Sequence, residues 1–136
     1  MSEISLKSLL VPSKTVDVEY PGMPGFVVTL SFLTREALLN IRKKSTKTSF
    51  KNRQPQEEFD EQLFLDLYTK ASVKGWKGLK LSYVEQLAPV DLSGHDPEDT
   101  LAYSEENALY LMKESSNFDA FVSEKVSDLG NFSTSK

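Results

Sequence analysis

The chain contains no cysteine, one tryptophan and one histidine among its 136 residues. Without cysteine there is no disulfide framework and no thiolate-ligated metal site. Long hydrophobic runs are missing as well. Runs such as Leu9-Leu10-Val11 and Phe26-Val27-Val28 fall far short of the roughly 20 residues that a membrane span requires. Residues 1–10 lack the basic start and apolar stretch of a secretory signal, so the cytosol is the expected compartment. What is present is ordinary: 39% hydrophobic and 26% charged residues, with six Gly and six Pro, the profile of a globular domain long enough to build its own core.

Signatures of chemistry are equally scarce. His95, alone and without cysteine, is poor material for a triad or a transition-metal site and reads as a solvated loop residue. The acidic stretch Asp91 to Asp99 offers oxygen ligands, but an EF-hand loop needs Gly at its sixth position and Glu at its twelfth, where this chain has Asp96 and Ala102. Those acids read instead as turn formers. Gly75-Trp76-Lys77-Gly78 lacks the spacing of a phosphate loop. Glu57 and Glu61 stand one helical turn apart, yet they suit a helix N-terminus better than paired acid-base work. No catalytic residue, metal or cofactor is expected, and the chain reads as a non-enzyme.

The net charge of −4 is unevenly spread. Residues 1–80 carry 13 Lys/Arg against nine Asp/Glu, whereas residues 81–136 carry three against 11, so the two parts are +4 and −8. Arg42, Lys43, Lys44, Lys47, Lys51 and Arg53 occur with no acid among them. The polar residues between them show no periodicity, which predicts a mobile basic loop over 43–55. Its only ring for stacking on a base is Phe50, so nucleic acid is not the favoured partner. The opposed charges favour a protein partner or a second copy of the chain, and a homo-oligomer is expected.

Periodicity predicts the elements. Val16, Val18 and Tyr20 alternate with Asp17 and Glu19 over 15–20, a half-buried strand. The turn Pro21-Gly22-Met23-Pro24-Gly25 and a β-rich run over 26–32 complete a hairpin. Thr34 is a candidate N-cap for a helix from Arg35. Pro55 is expected to open a second helix, with Phe59, Leu63, Leu67 and Ala71 forming an apolar stripe and Gly75 or Gly78 closing it. Residues 79–102 give mixed signals, a helical turn around Tyr83 and then a loop. Ser104 caps a helix over 105–113. Phe118, Phe121, Val122, Val126 and Leu129 mark a last amphipathic helix that Gly130-Asn131 ends. Strands precede helices, so the expected fold is α+β, a small antiparallel sheet near the N-terminus against a mainly helical layer. It forms one domain over 1–136, with a loosely attached arm over 1–14 and a disordered tail over 133–136.

The order of these features carries a resemblance. Lys74-Gly75-Trp76-Lys77-Gly78-Leu79, then a variable acidic stretch, Tyr103-Ser104-Glu105-Glu106-Asn107-Ala108, and a helix containing Phe118-Asp119-Ala120-Phe121-Val122 resemble the tail assembly chaperones of long-tailed, lambda-like bacteriophages over about residues 15–132. The resemblance implies a non-enzymatic assembly factor in the host bacterial cytoplasm. Such a factor keeps the tape measure protein soluble, helps to recruit the major tail tube protein through a frameshift-extended form, and is absent from the mature virion. Candidate contacts are the cations Arg42, Lys43, Lys44, Lys47 and Lys51, the aromatic Trp76, and the stripe Phe118, Phe121 and Val122. The plainer reading of Trp76 and of the stripe is core. Two alternatives stay open: a nucleic-acid-associated regulator using the basic segment, and a structural tail component.

Overall fold

A computed structural model describes residues 4–9 and 14–127. The expected tail over 133–136, the helix end at Leu129 to Asn131 and parts of the N-terminal arm lie outside the described residues. Within the arm, Leu6–Leu9 form the short helix α1.

Strands β1 (Thr15–Glu19), β2 (Val27–Ser31) and β5 (Val73–Lys77) make a three-stranded antiparallel sheet with β2 in the centre. The period-two pattern of β1 has its cause here: Val16 and Val18 pack against the core, while Asp17 faces outward and accepts a 2.6 Å hydrogen bond from the Thr29 hydroxyl on β2. In the β1–β2 turn the Phe26 amide donates to the Met23 carbonyl, the Tyr20 amide to Phe26, and Gly22 and Gly25 both take positive φ.

Helices α2 (Arg35–Lys44), α3 (Glu61–Ser72), α5 (Glu105–Glu114) and α6 (Ser116–Ser127) form the other layer, with the shorter α4 (Leu81–Leu87) leading into an irregular segment. Side-chain caps start them: Thr34 accepts from the Ala37 amide, Asp60 from Leu63 and Ser104 from Asn107, each at 3.0 Å. Helix α3 contacts α2, α5 and the sheet, and α6 lies on β2 and α5. Phe26, Val28, Leu30, Val73, Leu79, Phe118 and Val122 have no accessible surface where these layers meet. The α+β expectation is met.

Three local expectations are corrected. Residues 43–55 are not a loop: α2 runs on through Lys44, and strands β3 (Thr46–Lys51) and β4 (Gln54–Phe59) pair as a second, two-stranded sheet. Asn52 and Arg53 both take positive φ, at 53° and 65°, and so make the tight two-residue connection that matches strand twist. Pro55 belongs to β4 opposite Phe50 and does not open a helix; a two-stranded sheet leaves each strand an outer edge where proline removes no ladder bond. Helix α3 starts instead at Glu61, and Phe59 falls outside its stripe. Finally, residues 73–77 are an edge strand, with an irregularity in the register where Thr29 pairs with Gly75 and Leu30 with Val73. Of Gly75 and Gly78, only Gly78, just beyond that strand, takes positive φ.

Candidate functional site

The β3–β4 hairpin stands out from the core. Its base is tied where the Asp60 amide donates to the Ser45 carbonyl at 2.7 Å, and buried Ser45 donates its hydroxyl to the Ile41 carbonyl. Outside its own two strands the hairpin's main contact is with α2. Alternation gives it two faces. Lys47 and Ser49 pair with Glu58 and Gln56 on one, and Thr46, Thr48 and Phe50 pair with Phe59, Glu57 and Pro55 on the other.

Aromatic residues connect the hairpin base to the helices. Phe59 leans on Phe64 at 5.4 Å between centroids, and Phe64 stacks on Tyr68 at 5.8 Å. The Arg42 guanidinium lies 5.9 Å from the centroids of both Phe59 and Phe64, a geometry that holds the cation by the quadrupoles of two rings. Beside it a recess of about 180 Å³ is lined by Arg35, Leu38, Leu39, Arg42 and Phe64. Leu39 and Phe59 remain exposed there. This ledge joins apolar surface to two guanidinium groups, the composition that an amphipathic helix with acidic flanks would meet.

The residues singled out from sequence fall into separate places. Arg42, Lys43 and Lys44 occupy the last turn of α2, where their charge complements the carbonyl end of the helix. Lys47 and Lys51 belong to β3. Trp76 lies in β5, buried, with its indole N–H donating to the Leu101 carbonyl at 2.9 Å. Phe118, Phe121 and Val122 are buried on the core side of α6, where Tyr20 packs on Phe121 at 4.6 Å and on Phe118 at 6.3 Å. The structure therefore brings Trp76 and Phe118 together, at 6.4 Å, and keeps both apart from the cations.

Burial acts on the tyrosines. Loss of water raises the phenol pKa of Tyr68, Tyr20 and Tyr103 above the ordinary value. For Tyr68 a hydrogen bond with Ser123 opposes the shift and nearby Asp119 adds to it. In the acidic segment, hydrogen bonds with Ser93 lower the pKa of the exposed Asp91. Among the described residues no group of three or more His, Cys, Asp or Glu is placed to hold a metal ion, and no helix is long and apolar enough to cross a membrane.

Sequence reasoning missed the exposed apolar residues Leu39, Val90 and Tyr110, while it offered Phe59 as a candidate client face, in one helical stripe with Leu63 and Leu67. Val90 and Tyr110 carry no periodic signal of their own.

The two motifs behind the family resemblance meet in space. Tyr103 donates its hydroxyl to the Val73 carbonyl at 3.1 Å, and its ring stands nearly perpendicular to Trp76. Leu101, two residues before the second motif, donates its amide to the carbonyl of Leu79, the last residue of the first, at 2.8 Å. Comparison with known proteins places this unit in a family. No curated protein and no solved structure matches the chain. A family model described as YdaY prophage protein matches residues 29–136, a span that takes in the sheet from β2 onward, the hairpin, both motifs and α6. The chain belongs to the YdaY prophage protein family and is phage-derived.

Proposed function

We propose that this protein is a non-enzymatic tail assembly chaperone, which binds the tape measure protein in the host bacterial cytoplasm, keeps it soluble and helps to recruit the major tail tube protein. The observation that carries this reading is the exposed ledge of Leu39, Phe59 and Phe64 with Arg35 and Arg42 at its side. A long helical client presents apolar stripes that aggregate when free, and a groove or ledge of matching width shields them. Phage ancestry and the two interlocked motifs support the same reading.

The client surface is this ledge and not the stripe of α6, because Phe118, Phe121 and Val122 are committed to the core. Nucleic acid is the weaker reading. The cation run is divided between the end of α2 and β3, and the register sets Lys47 across from Glu58 and Thr48 across from Glu57, which interrupts a uniform basic surface.

Co-expression with a helical tape measure fragment tests the proposal. The expected result is a soluble fragment that co-purifies with the protein, and a return to the insoluble fraction when Leu39→Glu and Phe59→Ser are introduced together. An insoluble fragment with the wild-type protein, or the protein's presence in purified virions, would overturn it.

A further inference from the structure

Two surfaces remain that the client reading does not use. One is the hairpin tip. Phe50 is 76% exposed there, beside Pro55 in the cross-strand register and next to a turn that carries exposed Arg53. The other is a groove between α4 and α5 of about 170 Å³, lined by Val84, Ala88, Val90, Leu101, Tyr110 and Leu111. Its size is informative. It is smaller than the roughly 300–1,000 Å³ of a small-molecule site and close to the ~150 Å³ of an apolar cavity that holds one benzene ring.

The electrostatics of the two surfaces are opposite. Residues 47–56, the outer part of the hairpin, hold three cations and no acid, whereas residues 88–114, which supply most of the groove's lining, hold seven acids and one lysine, Lys113. Glu106 and Glu114 lie one turn to either side of Tyr110 on α5, and Glu114 reaches the groove itself. Lys113 sits 5.7 Å from the Tyr110 ring and offsets part of that charge. Phe50 is not among the groove's lining residues, so the chain does not fill the groove with its own hairpin.

We propose that the protein self-associates head to tail, with the Phe50 tip of one copy seated in the α4–α5 groove of the next and Arg53 set against its acidic rim. The occupant is a second copy of this chain, because the same sequence supplies both the basic aromatic tip and the acidic apolar receptacle. Tip and groove are different surfaces, so the contact is heterologous and grows into a ring or an open chain. This inference does not rest on the client reading: a protein that assembles yet fails to solubilise a tape measure fragment would sink that reading and leave this one standing.

Sedimentation velocity over a concentration series at low salt tests it. Wild-type protein is expected to exceed dimer mass as concentration rises, and to revert toward monomer in high salt. Phe50→Ser destroys the tip, and Val90→Glu with Tyr110→Ser destroys the groove; circular dichroism confirms that each variant is folded. Each should be monomeric alone. Mixed in equal amounts they should form a heterodimer and nothing larger, because each retains the half that the other has lost. A wild-type monomer at its highest soluble concentration, a folded variant that still assembles, or a mixture that stays monomeric would overturn the proposal.

Discussion

Tyr103 and Trp76 stand at 88° to one another with their ring centroids 5.2 Å apart, although 27 positions separate them in the chain. The contact closes the acidic segment onto the sheet. Leu101 accepts the indole N–H, Tyr103 reaches back to Val73 at the start of the same strand, and Lys80 pairs with Thr100 in an isolated bridge. The irregular stretch after α4 is thereby held at its C-terminal end by hydrogen bonds to β5 and its exit.

Trp76→Phe should cost about 1–2 kcal/mol in urea denaturation, since the Leu101 carbonyl loses its donor and the smaller ring leaves a gap. Trp76→Ala should cost about 3–5 kcal/mol. The native protein has a single tryptophan, so its fluorescence reports the same junction, and its red shift on unfolding should coincide with loss of helical circular dichroism. A loss below about 0.5 kcal/mol for Trp76→Ala would show that the indole does not hold the segment in place.

The two glycines of the first motif should respond differently. Gly78 has φ +73°, and a Cβ there would collide with the Gly25 carbonyl of the β1–β2 turn. Gly78→Ala should therefore destabilise by more than the ~1–2 kcal/mol of a left-handed alanine alone. At Gly75 φ is unexceptional and the nearest neighbour, Thr29, is 3.9 Å away, an ordinary contact. Gly75→Ala should be neutral or raise the melting temperature slightly, because alanine restricts the unfolded chain. Equal losses at both positions would contradict the geometry.

How much of this was legible in the sequence depends on where the deciding force lies. The β1–β2 hairpin, the caps Thr34 and Ser104 and the stripe of α6 are local patterns, and they appear as expected. The hairpin over 46–59 was not legible, because its turn carries Arg53 where glycine is the usual marker and its strands show no regular apolar-polar alternation. Strand β5 was hidden for another reason. Its five residues follow α3 directly, and only pairing with β2, more than 40 positions earlier, makes them a strand. The exposed ledge is a meeting of α2, β4 and α3, and nothing in any one segment announces it.

Alkaline pH should weaken the fold through the tyrosines. In the unfolded chain their phenols ionise near the ordinary value of 10.0, while Tyr68, and to a lesser degree of burial Tyr20 and Tyr103, ionise higher when folded. The unfolded state then binds fewer protons above that value, so stability is fully present below pH 10 and falls as pH rises through the folded pKa values. Tyr68→Phe should flatten this decline while removing the hydroxyl's contact with Ser123. Urea midpoints measured from pH 8 to 11 check it. A midpoint constant over that range would overturn the link.

Arg53 is strained where it stands. A φ of 65° at the second turn position is open to glycine but costs arginine about 1–2 kcal/mol, whereas Asn52, at 53°, is of a residue type that tolerates it. Arg53→Gly creates the Asn-Gly pair that most favours this connection. Because the hairpin's main contact outside itself is with α2, the gain should stay largely local. Amide exchange over 46–59 should slow by about fivefold or more, the effect of ~1 kcal/mol, while the global melting temperature changes little. The same substitution also removes the cation assigned to the groove's acidic rim, so the variant should be the more rigid and the weaker in self-association. Tighter assembly from this variant would mean that hairpin order, and not the charge at its tip, limits the contact between copies.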